Sequence, residues 1–162
     1  MLPHHYPRRY YEKVRRCMRP EDLREANEWI ERAEYDLEMA EVALERAPPL
    51  AGGAAFHAQQ AAEKALKSFL AAHGRTFPRT HQLIPLLTDC EAIDTTFQKF
   101  TAAAQSLTPY AVEFRYPGGR KEPPETEAEA AFQAASDLVR FVRSRLPSGP
   151  HGSSEVDTDG TD

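Results

Sequence analysis

A chain of 162 residues holds one domain with a real core but not two well-developed ones, which excludes multidomain synthetases, polymerases and transporters. Hydrophobic residues make up 41% and charged residues 28%, an ordinary globular mixture. The 20 basic and 25 acidic side chains leave a formal charge of −5, which argues against a protein that coats nucleic acid by bulk charge.

The first segment, 1–19, sets Arg8, Arg9, Lys13, Arg15, Arg16 and Arg19 against Glu12 alone, a net charge of +5, with Tyr6, Tyr10 and Tyr11 among them. Basic residues mixed with aromatics can follow a phosphate backbone and stack on bases. The plainer reading is a solvating or partner-docking extension. From Pro20 the pattern becomes helical: Ala26, Ile30, Ala33, Leu37, Ala40, Leu44 and Ala47 recur at alternating steps of four and three, the seam of one buried helix face. Pro20 with Glu21 and Asp22 suits a first turn, and Pro48-Pro49 stops the helix, so the spacing predicts a helix over 20–47. Its outer face is strongly acidic and would repel a phosphate backbone.

A second helix is expected after a break at Gly52-Gly53, ending at Gly74, with Phe56, Gln59, Ala62, Leu66, Phe69 and Leu70 on one side. Glu63 and Lys67, four apart, read as an ordinary supporting pair on another side. A shorter third helix starts after Thr80 and carries Leu83, Ile84, Leu86 and Leu87, with Pro85 tolerable only in its first turn. Phe97, Phe100, Ala104 and Leu107 mark a fourth, ended by Pro109. The fifth opens on Thr126-Glu127-Ala128-Glu129, a capping-box signature, and runs through Leu138 and Val142 to Leu146. No β-branched alternating run of useful length competes. The expected fold is all-α, an antiparallel up-and-down bundle of four to five helices over 20–146. Residues 147–162 hold four acids, no Lys or Arg, and several Gly, Ser and Pro, and read as a disordered acidic tail.

No window approaches the roughly 20 apolar residues of a membrane span, and no apolar stretch follows the opening basic residues. A cytoplasmic protein without membrane contact is the expectation. Cys17 and Cys90 suggest neither a disulfide framework nor a thiolate metal site. None of His57, His73 or His81 has a Glu three residues before it, so a ferritin-like metal site is not indicated. The phosphate-loop, dinucleotide-fold and zincin motifs are missing as well, and neither cofactor nor metal is expected.

The most legible segment is Phe56-His57-Ala58-Gln59-Gln60-Ala61-Ala62-Glu63-Lys64-Ala65-Leu66-Lys67, followed by Thr80-His81-Gln82-Leu83. With Ala33-Glu34-Tyr35-Asp36-Leu37 and Ala40 before it and Phe114-Arg115-Tyr116-Pro117 after it, the chain resembles the HEPN family over about 23–146. The resemblance implies a helical nucleotide-binding fold. It also implies one of two roles. Some members are metal-independent ribonucleases whose dimer sets an Arg and a nearby His in a shared cleft; others are inactive partners of separately encoded nucleotidyltransferases, in a toxin and antitoxin style pair.

After Arg115 the chain reads Tyr116, Pro117, Gly118, Gly119, Arg120, Lys121 and Glu122, so the family's His is missing at its expected place. A substitute pair, Arg75 and His81, has five residues between its members. His81 as general base on a ribose 2′-hydroxyl and Arg75 or Arg115 stabilising a phosphorane would meet the needs of metal-free RNA cleavage. The plainer account makes Thr80 a helix cap and His81 a local structural group. Lys64, Arg115, Arg120 and Lys121 are the candidate phosphate ligands, Gln59 or Gln60 could read a base edge, and Asp36 could orient His81 or hold Arg115.

The leading expectation is therefore a small helical protein that binds nucleotide or RNA phosphate and works with a partner, such as a nucleotidyltransferase, as a homodimer. The alternatives are a metal-independent dimeric endoribonuclease and a non-catalytic structural or regulatory bundle.

Overall fold

The computed structural model describes residues 18–112 and 122–147. Among them the chain is all-helical, with no strand. Helix α1 spans Pro20–Glu45, α2 Ala51–Ala72, α3 Leu83–Glu91, α4 Thr101–Leu107 and α5 Glu125–Arg145. Short 3₁₀ turns at Thr95–Phe100 and Thr108–Ala111 flank α4. The result is a five-helix bundle, as the periodicity predicts.

Helix α2 is the central element, packed against α1 on one side and α5 on another, with α3 and α4 closing the rest. Its length is rich in alanine, and Ala54, Ala55, Ala58, Ala61, Ala62 and Ala65 are all fully buried. Small side chains let neighbouring helix axes approach, while Leu66, Phe69 and Leu70 fill the space toward α3 and α5. On α1, Ala26, Ile30, Ala33 and Ala40 are buried and Leu37 and Leu44 are partly buried, which is the seam read from the sequence up to Leu44; the helix ends at Glu45 and not at 47, and Ala47 is exposed beyond it. On α5 the buried set is Ala128, Ala131, Ala135, Leu138, Val139 and Val142.

Several local expectations are corrected. Gly52 and Gly53 do not break the chain before α2; they lie in its first turn, where a helix carries backbone N–H groups without intrahelical partners. The Gly52 N–H is satisfied from far away in sequence, by Glu122 Oε1 at 2.8 Å. The fourth segment is not one helix but a 3₁₀ turn, a short α-helix and a second 3₁₀ turn that contains Pro109. At α5 the start is Glu125, after Pro124, and Thr126 lies inside the helix with no capping role. Pro85 does sit in the first turn of α3.

The end of α2 is sharply defined. Gly74 adopts φ +62°, its N–H bonds Ala71 O at 2.9 Å, and the Arg75 N–H bonds Leu70 O at 3.0 Å, which is a Schellman termination. This turn launches the loop from Arg75 to Gln82 back across α1 and α2. Farther on, Arg145 near the end of α5 bonds the Asp94 carboxylate at 3.1 Å and lies over the Phe141 ring, tying α5 to the turn after α3.

Candidate functional site

Helix α2 is buried almost throughout, yet it carries a polar stripe at His57, Gln60, Glu63, Lys64 and Lys67. Two carboxylates organise that stripe. Asp36, buried on α1, faces His57 Nδ1 at 2.9 Å and accepts from the Lys64 ammonium. His57 and Lys64 are seven residues apart, two turns of α2, so both reach the same point on α1. The second carboxylate, Glu63, accepts from Lys67 Nζ at 2.7 Å and faces His81 Nδ1 at 3.2 Å.

Glutamine side chains complete the second cluster. Gln59, fully buried, donates from Nε2 to Glu63 Oε2 at 3.3 Å and to the His81 backbone carbonyl at 3.1 Å. Gln60 donates to Gln59 Oε1 at 2.7 Å. The loop segment around His81 is thus held to α2 through both its backbone and its ring. Lys67 lies 5.3 Å from the Trp29 ring centroid and 5.8 Å from that of Phe77, whose rings meet edge to face at 5.9 Å. A lysine so enclosed needs a carboxylate partner to remain charged out of water, and Glu63 supplies it.

The sequence-predicted site residues fall in different places. His81 is on the loop with its side chain 58% exposed, and its carboxylate partner is Glu63. The expectation that Asp36 orients His81 is corrected: α1 runs along α2 with Ala26 opposite Ser68 and Asp36 opposite His57 and Lys64, so Asp36 is committed to those two while His81 meets Glu63 instead. Lys64, read as the freer lysine, is held in that ion pair. Glu63 and Lys67, read as an ordinary helix pair, are a buried one, since the side of α2 that bears them is covered by α1 and the loop. Gln59 is fully buried and holds the loop, so it is out of reach of a base edge. Arg75 is exposed just past the end of α2, and among the described residues it shares no hydrogen bond or ion pair with His81. Arg115, Arg120 and Lys121 lie outside the described residues. Thr80 does not cap α3, whose preceding residue is Gln82; its hydroxyl accepts from the Gln82 N–H at 3.0 Å in a local turn.

His57 is the residue the sequence reading missed. Its seven-residue spacing from Lys64, opposite an acid on the apolar seam of α1, was the available signal. Among the described residues no group of His, Cys, Asp and Glu is arranged to hold a metal ion, and no helix is long and apolar enough to cross a membrane.

The chain is similar to two solved structures. One is TT1696 from Thermus thermophilus, 33% identical, with a TM-score of 0.65, covering 75% of this chain and 98% of that one. The other is ST0689, an archaeal HEPN homologue, 28% identical, with a TM-score of 0.59 and the same coverage of 75% and 98%. No curated protein matches the chain. The family model of the HEPN domain matches residues 26–145, the span that contains both carboxylate clusters and all five helices but the first turns of α1, and the chain belongs to the HEPN domain family.

Proposed function

We propose that this protein is a non-catalytic HEPN bundle, a structural or regulatory protein that acts by association and assembles as a homodimer. The observation that carries the reading is the commitment of the polar stripe on α2 to internal pairs. Asp36 takes up His57 and Lys64, and Glu63 takes up Lys67 and His81. A phosphate entering this stripe would have to displace a carboxylate from each lysine, which opposes binding there. A nucleotide or RNA role beside a nucleotidyltransferase would therefore rest on Arg115, Arg120 and Lys121.

A second reading has one specific observation in its favour. The Nδ1 of His81 faces Glu63 while most of the ring is open to solvent, the arrangement in which a carboxylate orients an imidazole and leaves its other nitrogen available as a base. Arg75 or Arg115 would then supply the cation for a metal-independent endoribonuclease.

One assay separates the two. Labelled mixed-sequence RNA is incubated with high-micromolar purified protein in the presence of chelator, alongside H81A and R115A. Intact RNA in all three reactions is the expected result. Cleavage by the wild type that is lost in H81A overturns the non-catalytic reading.

A further inference from the structure

Around Trp29 the surface of α1 forms an open cavity of about 340 Å³ lined by Glu25, Glu28, Trp29 and Arg32, all from this one helix. Glu25, Glu28 and Arg32 are exposed, and among the described residues Arg32 forms no ion pair with either acid. Trp29 is fixed from beneath, with Phe77 edge-on to its ring and Lys67 over it, so the indole presents a rigid wall. The patch thus combines an anchored aromatic, two acids and one base.

We propose that this patch is a self-complementary interface for a second copy of the chain, with the two α1 helices antiparallel across a two-fold axis level with the gap between residues 28 and 29. The inference rests on the homodimer in the proposed function and names its surface. A two-fold interface requires that residue i meet residue j while j meets i. Glu25 and Arg32 are seven apart, so they project from the same side of α1, about 10.5 Å apart along its axis. With the axis at that level, Arg32 of each copy stands opposite Glu25 of the other. Two reciprocal ion pairs then bracket the two Trp29 side chains. A parallel pairing sets Glu25 against Glu25 and is repelled.

The mixed signs decide for a second copy over a basic partner, which would leave Arg32 facing like charge. Trp and Arg are also the side chains enriched at the energetic centres of protein interfaces.

The test uses the full chain with light scattering to read mass, and the emission of Trp29, the sole tryptophan, to report on the patch. Wild type is expected to be a dimer whose Trp29 emission shifts on dilution. E25R and R32E are each expected to weaken dimerisation at least tenfold. Mixing E25R with R32E restores a dimer, because every facing pair is then of opposite sign, and the E25R/R32E double variant restores it within one chain. A monomeric wild type overturns the homodimer and this interface together. A dimeric wild type that neither single swap weakens overturns the interface alone. Circular dichroism of each variant checks that the helices are intact.

Discussion

Lys67 places its ammonium 2.7 Å from the Glu63 carboxylate, one helical turn away, with the two side chains 10% and 5% exposed. An ion pair of this kind is far costlier to break than to replace, since removing one member leaves the other charged and out of water. Substituting Glu63 by Ala strands Lys67 between Trp29 and Phe77 and also frees His81 and Gln59. A loss of about 3–5 kcal/mol in urea denaturation is expected. The double variant Glu63→Leu with Lys67→Met removes both charges and should recover most of that loss. If the double variant is as unstable as E63A, the cost comes from the hydrogen bonds to Gln59 and His81 and not from the stranded ammonium.

The cluster at Asp36 should respond more mildly. Its partners His57 and Lys64 are 28% and 22% exposed, so water can reach them when the carboxylate is lost. Asp36→Asn is expected to cost about 1–3 kcal/mol, the range for a buried polar group deprived of a charged partner. Urea midpoints of D36N and E63A measured side by side check the order. A larger loss in D36N would mean that the α1 to α2 contact depends on Asp36 more than on the alanine seam.

What was legible in the sequence was whatever repeats. The seam from Ala26 to Ala40 and the turn chemistry of Gly74 each leave a local mark, and α1 and the end of α2 stand where those marks put them. The start of α2 is not legible locally, because Gly52 and Gly53 carry the signature of a break while the group that satisfies the helix end, Glu122, is 70 residues away. The clusters were hidden for a related reason. Glu63 and Lys67 are spaced like any surface pair, and only the packing of α1 and the Arg75 to Gln82 loop over them turns that pair into a buried one. The partner of His81 is likewise set by where the loop crosses α2, which no motif spacing encodes.

Two glycines at opposite ends of α2 should respond to alanine with opposite sign. At Gly74 the φ of +62° lies in the left-handed region, and an added Cβ would stand 3.2 Å from Asp22 Oδ2. Gly74→Ala is expected to destabilise by about 1–2 kcal/mol, the cost of a left-handed conformation for an L side chain. At Gly53 an added Cβ meets only Leu50 Cβ at 3.9 Å, an ordinary contact on a helical backbone. Gly53→Ala should stabilise by about 0.5–1 kcal/mol through the reduced freedom of the unfolded chain and better helix propensity. Thermal midpoints that move in the same direction for both variants would refute this account.

His73, at the end of α2, gives the fold a defined response to acid. Burial holds its imidazole below the usual histidine range, only partly offset by the hydrogen bond to the Phe69 carbonyl. That bond spans 2.8 Å from Nδ1, and the ring also packs against Phe69 with centroids 4.4 Å apart. A depressed histidine means that the unfolded chain takes up the proton more readily than the folded one. The stability from keeping it neutral is therefore complete above the unfolded pKa of about 6.5 and falls as the pH drops through that value toward the folded one. Wild type should lose stability relative to His73→Gln between pH 7 and pH 5, where glutamine has no proton to gain. Urea unfolding of the two proteins across that range measures the difference. An independent check is the titration of the His73 ring by NMR, which should show a midpoint below 6.5; a midpoint at or above that value, with a constant difference in stability, would mean that the ring is solvated in the folded chain and that the packing on Phe69 does not govern its proton.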